Sequence, residues 1–256
     1  MLQRFKFILE CIEAGAVRGM GGGEIHGLLF SLLRKAKEGA AEILHKTVEK
    51  PLSLSPLEGT GKRRSGYFYL QVGERYSFTV TSLTEEMHYL LEQVAALWGQ
   101  QEVKLGTGVL AARKVEVEIP GGLTYQNLVA RARSTLNTTL EFIAPTSFRQ
   151  QGTQIVFPLP EYVFGSLRQG WNDHGPIQLP SDLDLSLIRV SRYRLRTQLL
   201  HFNRYKIVGF TGICSYQAPQ KNPDFLPWLL AVLADFGEIA GVGYKTTMGM
   251  GVVRRR

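Results

Sequence analysis

Strand-like and helix-like hydrophobic patterns follow one another in the same order twice along this chain, and that order limits the folds open to it. Leu2–Glu13 alternates as a strand does. Gly19 and Gly21–Gly23 come next. Ile25, Leu28, Leu29, Leu32 and Leu33 then mark the buried stripe of a helix. Ala40–Lys46 predicts a second, short helix, and Lys50–Pro56 a loop or irregular extended segment. Tyr67–Val72 and Arg75–Thr81 predict a hairpin around Gly73-Glu74. Met87, Leu90, Leu91, Val94 and Leu97 give another amphipathic helix, and Val109–Ile119 gives a strand. The sequence Pro120-Gly121-Gly122 is the strongest break. Beyond it the pattern predicts a strand over Thr138–Phe148, a helix over Pro160–Asn172 and two long strands, Leu187–Leu200 and Lys206–Tyr216. A helix over Pro223–Phe236 and a short strand over Met250–Arg254 close the chain.

Each half therefore reads β-α-β-β-α-β. This predicts an α+β protein of two tandem ferredoxin-like (RRM-like) βαββαβ domains, 1–121 and 122–256, with a glycine-rich loop before the last strand. The halves show no visible sequence repeat, so the duplication rests on element order.

Composition narrows the chemistry. The chain has 256 residues, 44% of them hydrophobic and 20% charged, which describes a core-forming globular protein. A net charge of +8 suits an anionic partner without naming it. Two cysteines, Cys11 and Cys214, make no disulfide framework, and the five scattered histidines have no zinc-ligand spacing, so neither a metal nor a cofactor is expected. The N-terminus lacks a signal peptide's apolar core, and the longest apolar run, Leu226–Ala234, is too short to cross a bilayer. The expected location is a reducing cytoplasm, away from membranes.

The C-terminal stretch Gly241-Val-Gly-Tyr-Lys-Thr-Thr-Met-Gly-Met-Gly-Val-Val-Arg-Arg-Arg256 is the densest motif. Glycines let backbone approach a ligand closely and let N–H groups converge on an anion. It is not a P-loop, because Tyr244 rather than glycine precedes Lys245. Nor is it a dinucleotide fingerprint, because Thr246 stands where the third glycine belongs. A nucleotide-binding metabolic enzyme is thereby disfavoured. A glycine-rich turn before a closing strand is the plain alternative; Lys245 and the terminal arginines favour a polyanion.

Other residues carry candidate chemistry. On the strand around Arg189–Leu200, Arg192, Arg194 and Arg196 fall on one face and Tyr193, Leu195, Thr197 and Leu199 on the other. Such a row suits phosphates, and equally suits a solvated face paired with acids on the next strand. Lys62-Arg63-Arg64, Arg113-Lys114, Arg131, Arg133 and Arg149 are further basic groups. His45 ends the short helix with Lys46 and Lys50 close by in sequence. An imidazole can both take and give a proton near neutral pH, although a surface histidine at a helix end reads the same way. His26, one helical turn before Phe30 and off the leucine stripe, is the rival. His88, on a charged helix face, reads as solvated.

Several of these segments together resemble one family, the CRISPR-associated endoribonucleases of the repeat-associated mysterious protein superfamily, which cut precursor CRISPR RNA within its repeats. Ala240–Val253 looks like their glycine-rich loop, and Gly209-Phe-Thr-Gly212 resembles the strand just upstream of it. Ala144-Pro-Thr-Ser-Phe-Arg149 followed by Phe157-Pro-Leu-Pro160 is similar to their second-domain opening, and Leu44-His45 followed by Pro51–Leu57 resembles the segment with their histidine. The four segments occur in the family's order across nearly the whole chain.

The resemblance implies metal-independent cleavage by a ribose 2′-hydroxyl, leaving a 2′,3′-cyclic phosphate and a 5′-hydroxyl. It places proton transfer on His45 and transition-state charge on Lys50, with Lys46 as substitute. Members with a tyrosine partner carry it where this chain has Phe30, which leaves His26 or water as the second group. The resemblance also assigns RNA contacts to Gly241, Gly243, Lys245, Gly249 and Gly251; Arg149, Arg192, Arg194 and Arg196 join them on charge. The implied partner is CRISPR repeat RNA, as precursor and as mature guide, with effector-complex subunits and a second copy of the chain as further candidates. A non-catalytic RNA-binding subunit of the same superfamily is the alternative function.

Overall fold

The computed structural model describes residues 1–99, 101–118, 123–219 and 225–256. The chain divides into two compact units. One comprises Met1–Gly122, Leu199–Ile207 and Thr247–Gly249; the other comprises Leu123–Gln198, Val208–Thr246 and Met250–Arg256. The break expected at Pro120–Gly122 lies outside the described residues.

In the first unit the elements are β1 (Gln3–Glu13), β2 (Gly15–Arg18), α1 (Gly22–Ala36), α2 (Ala40–Lys46), β3 (Leu52–Leu54), β4 (Glu58–Gly59), β5 (Lys62–Arg64), β6 (Tyr67–Leu70), β7 (Arg75–Ser82), α3 (Glu85–Leu97), β8 (Glu102–Leu105) and β9 (Gly108–Val117). The main sheet runs β3-β7-β1-β9-β8. β1 is its spine, antiparallel to both β7 and β9. Its alternation buries Phe5, Phe7, Leu9 and Cys11 on the face that α1 and α3 cover. Phe7 stacks on Phe78 with ring centroids 5.1 Å apart and meets Trp98 edge-on at 4.9 Å. The Trp98 indole N–H donates to the Ile8 carbonyl at 3.3 Å, so the one polar atom of that ring is satisfied.

The second unit contains α4 (Tyr125–Arg131), β10 (Asn137–Thr146), β11 (Phe148–Gln150), β12 (Thr153–Ile155), α5 (Pro160–His174), β13 (Arg189–His201), β14 (Lys206–Gln217), α6 (Phe225–Ala240) and β15 (Val253–Arg255). Its sheet order is β13-β14-β10-β15. If the strands of each βαββαβ unit are counted in chain order, both sheets have the order 2-3-1-4, so both are ferredoxin-like. Trp171 of α5 meets Tyr125 of α4 and Phe236 of α6 edge to face. Burial also pushes the Cys214 thiol up to about 11, against a weaker opposing hydrogen bond from Tyr216, which keeps it a neutral core group.

The structure corrects the expected hairpin. Tyr67–Leu70 does not pair with Arg75–Ser82; it lies between β2 and β5 in a separate three-stranded sheet. The second strand of the first domain is instead β3, inside the segment expected to be irregular, and it pairs with β7 through Leu52–Leu54. The reason lies in the Gly73-Glu74 turn. Gly73 N–H donates to the Cys11 carbonyl and Cys11 N–H to the Glu74 carbonyl, so the turn is tied to β1. Burial agrees, since Leu52, Ser53 and Leu54 are all inside whereas β6 alternates. His88, expected in solvent, is buried against the Phe5 ring and reaches Glu92 at 3.4 Å. α4 and β8 were not expected from the sequence; Thr124 and Asn127 hold the start of α4 as a capping box.

Candidate active site

The N-terminal end of α1 is built around glycine. A Cβ on Gly22 would lie 1.8 Å from the Met248 carbonyl oxygen, so only glycine lets residues 247–249 seat against the first turn of the helix. Ile25, Leu29, Leu32 and Leu33 fill the core side. His26 is therefore half-buried on another side, where its Nδ1 lies 2.9 Å from the Thr247 carbonyl oxygen. A carbonyl only accepts, so Nδ1 carries the proton, and in the neutral ring the lone pair sits on Nε2.

One turn along, the Phe30 ring lies 4.4 Å from the His26 ring and 6.4 Å from that of His45, which it meets at 80°. Phe30 is buried at 7% exposure and is the ring that both imidazoles contact. α2 buries Ala40, Ala41 and Leu44, and the next residue, His45, is exposed at its last turn. Lys46 is exposed beside it. The Lys50 ammonium donates to the Thr47 carbonyl at 3.0 Å and so is tied to the end of α2. Among the described residues, no three His, Cys, Asp or Glu side chains gather as a metal-holding set.

The glycine-rich loop differs from the amide cradle expected of it. Gly241, Val242, Tyr244, Met250 and Gly251 all donate their N–H groups to carbonyls of the protein, Tyr244 to Ser147 at 2.8 Å and Gly251 to Pro145 at 3.1 Å among them. Gly241, Gly243, Gly249 and Gly251 take positive φ, so at the bonded positions glycine serves tight folding of the loop. What the loop presents is a side-chain group. Arg149 donates to the Tyr244 hydroxyl at 3.3 Å, and the Lys245 ammonium lies 4.8 Å from the Tyr244 ring centre. Burial pushes the Tyr244 hydroxyl up. The Arg149 hydrogen bond and the Lys245 charge together outweigh that and leave it below its usual value.

Along β13, Arg192, Arg194 and Arg196 are all exposed. Arg196 donates to the Thr211 hydroxyl at 3.2 Å. Arg192 and Arg194 have no acidic side chain within ion-pair reach among the described residues. With Tyr193, Thr139, Ile213 and Ser215 they line a cleft of about 270 Å³. The terminal arginines are different. Arg254 and Arg256 both reach Glu141, and Arg255 reaches Asp235 at 2.7 Å, so the cations expected to face a polyanion are held by carboxylates.

Of the expected site residues, the structure brings His26, Phe30 and His45 together with residues 247–249 in the first unit. Lys245, Arg149 and the three strand arginines belong to the second. The contribution of Thr247 was not legible in the sequence, because a main-chain carbonyl 221 residues away leaves no side-chain signal.

Comparison with known proteins places this geometry. The family model for the CRISPR-associated endoribonuclease Cas6 matches residues 140–253. The chain is 33% identical over 122 residues to a CRISPR-associated endoribonuclease Cas6 of Mycobacterium tuberculosis, a match covering 45% of this chain and 37% of that protein. It is 27% identical over 150 residues to the Streptococcus thermophilus Cas6, covering 57% and 61%. The matched stretches thus span about a third of the length of the mycobacterial relative and less than two thirds of the streptococcal one. Among solved structures, a Cas6 product complex superposes with a TM-score of 0.79 at 25% identity over 100% of this chain and 99% of that one. Four segments in family order, two ferredoxin-like sheets of one topology and these comparisons agree that the chain is similar to the CRISPR-associated endoribonucleases Cas6, in sequence over residues 140–253 and in fold over its whole length.

Proposed function

We propose that this protein is an endoribonuclease that cuts precursor CRISPR RNA within its repeats in the cytoplasm, without a metal ion, releasing guide RNAs. The observation that carries the reading is the His26–Phe30–His45 cluster beside Thr247, in which two imidazoles contact one buried ring. In this reading His26 Nε2 takes the proton of the ribose 2′-hydroxyl. The 2′-oxygen attacks the adjacent phosphorus, and the P–O5′ bond breaks. The departing 5′-oxygen takes a proton from the His45 imidazolium. The products are a 2′,3′-cyclic phosphate and a 5′-hydroxyl, and proton exchange with water resets both rings.

Lys46, exposed next to His45, is assigned to the charge of the phosphorane, because the Lys50 ammonium already holds a carbonyl. Lys245, Arg149 and the Arg192–Arg196 row hold RNA phosphates, and the loop glycines 241, 243, 249 and 251 fold the loop close enough to do so.

Incubation of labelled repeat RNA with the protein in EDTA tests the reading. Cleavage should persist, and it should be lost in His45→Ala and in His26→Ala while binding survives. Binding without cleavage by the wild-type protein would make it an RNA-binding subunit and sink the enzyme assignment. Cleavage that needs added metal would refute the proposed chemistry.

A further inference from the structure

The small sheet β2-β6-β5 lies outside the ferredoxin-like sheet, and none of its residues takes part in the proposed cleavage. Its register decides which side chains share a face. Arg18 stands opposite Tyr67 and Ala16 opposite Tyr69. On the other side of β6, Arg64 stands opposite Tyr67 and Lys62 opposite Tyr69. The two-residue period turns Val17 and Phe68 to the buried side. The outer face therefore presents two rows, Arg18–Tyr67–Arg64 and Ala16–Tyr69–Lys62.

Tyr67 and Tyr69 are 37% and 43% exposed, and the three cations are exposed too. No acidic side chain lies within ion-pair reach of these cations among the described residues. Glu24 accepts from the main-chain N–H of Arg18 at 3.0 Å, not from its guanidinium. Two outward rings about 7 Å apart along a strand, flanked by unneutralised cations, match stacked bases on a charged backbone. An acidic protein surface would use the cations and leave the rings without a purpose. A duplex would keep its bases out of their reach.

Position supports the same ligand. The His201 ring covers the β5–β6 turn so closely that a Cβ on Gly66 would lie 2.7 Å from it. After His201, Phe202 stacks on Tyr205 at 5.1 Å, and the Tyr205 hydroxyl reaches Met248 Sδ at 3.8 Å. Met248 adjoins Thr247, whose carbonyl holds His26. A continuous line of contacts inside the first unit thus joins the sheet to the proposed proton-transfer site.

We infer that the outer face of β2-β6-β5 is a second RNA platform, which holds a single-stranded stretch of the substrate beyond the cut. The inference rests on the endoribonuclease reading and adds a surface to it. The probe is labelled repeat RNA with or without a single-stranded oligouridine extension. Wild-type protein should bind the extended RNA about tenfold more tightly. The Tyr67→Ala/Tyr69→Ala double variant should lose that gain and still bind and cut the bare repeat as wild type does. Lys62→Ala/Arg64→Ala should lower the salt slope for extended RNA by about 1.4, or about 0.7 per phosphate. In the wild-type protein, 4-thiouridine placed in the extension should crosslink to the β6 peptide, a readout independent of how the variants fold. Equal affinity of wild type and the tyrosine variant for extended RNA, crosslinks confined to other peptides, or polyglutamate competing as well as oligouridine would each overturn the platform. Cleavage of the bare repeat in the same reactions judges the nuclease reading separately, since the platform can hold RNA whether or not the chain cuts it.

Discussion

The two units share a sheet order and differ in what they do with the second strand of that sheet. In the first unit this strand is β3, three residues long and wholly buried. It follows α2 and Lys50, so its job is to anchor the segment that carries His45. In the second unit the equivalent strand is β13, thirteen residues long and exposed along most of its length, with Arg192, Arg194 and Arg196 displayed. A ferredoxin-like topology therefore fixes the frame and leaves its edge strand open to different uses, a buried anchor behind the His45 segment in one copy and charge display in the other.

The sharpest way to break this contrast is at the histidines. His45→Ala should lower the cleavage rate of repeat RNA by about 10²–10⁴ with little change in affinity, and His26→Ala should fall in the same range. If the two act as a pair, the wild-type pH–rate profile is bell-shaped and each variant loses one limb. An equal loss of binding in either variant would move that residue from chemistry to RNA grip. Gly22 comes next. Gly22→Ala drives a Cβ into the Met248 carbonyl and should cost about 1–3 kcal/mol of stability, read as a fall in melting temperature, with a matching loss of cleavage. Gly27→Ala, on the same helix with nothing within 4 Å, should instead leave the protein as stable or stabilise it by about 0.5–1 kcal/mol. Equal effects at both positions would mean that the loop does not depend on that close approach.

The same contrast marks what a sequence can convey. Long periodic elements such as β1, α1, α3, α5 and β14 are legible because a one-sided burial pattern is written in consecutive side chains. β3 was not, since Leu52-Ser-Leu54 is too short to show a period and is buried throughout. The misplaced hairpin has a similar origin: Tyr67–Leu70 alternates well, but its partners were decided by the Gly73–Cys11 hydrogen bonds across 62 residues of chain. His45 and Lys245 stand out as candidates in local motifs, and His26 by its place off the leucine stripe. The Phe30–His45 contact and the Thr247 carbonyl that sets the His26 tautomer needed coordinates, because both depend on contacts distant in sequence. The fate of the terminal arginines was hidden for the same reason, as Glu141 lies more than a hundred residues upstream.

Charge display in the second unit can be tested by salt. Arg192→Ala/Arg194→Ala should weaken repeat-RNA binding and lower the slope of log affinity against log salt by about 1.4 for single-stranded contacts, with the rate at saturation unchanged. Arg254→Ala should change the slope much less, because that guanidinium already faces Glu141. An equal loss at both sites would show that the ion pairs open for RNA and that neutralisation by acids does not separate the two arginine groups.

The smallest effect concerns Glu141 itself. Its carboxylate accepts from Arg256 at 2.8 and 3.0 Å. That hydrogen bond is the main reason it is held below the ordinary value of 4.5; partial burial opposes it, and the charges of Arg256 and Arg254 assist it. A carboxyl whose folded value is depressed contributes stability above its unfolded value and loses it as pH falls through the folded one. The melting temperature of wild type should therefore exceed that of Glu141→Gln at neutral pH by a margin that stays level down to about pH 4.5 and closes below it. The pair is exposed, so the margin is small and should shrink in high salt. The same substitution releases Arg254 and Arg256. If their pairing is what keeps them from RNA, Glu141→Gln should bind repeat RNA more tightly and with a steeper salt slope. Unchanged binding would mean that only the β13 arginines and the Lys245–Arg149 group face the ligand, which would sharpen the division between a strand that displays charge and a chain end that is closed on itself.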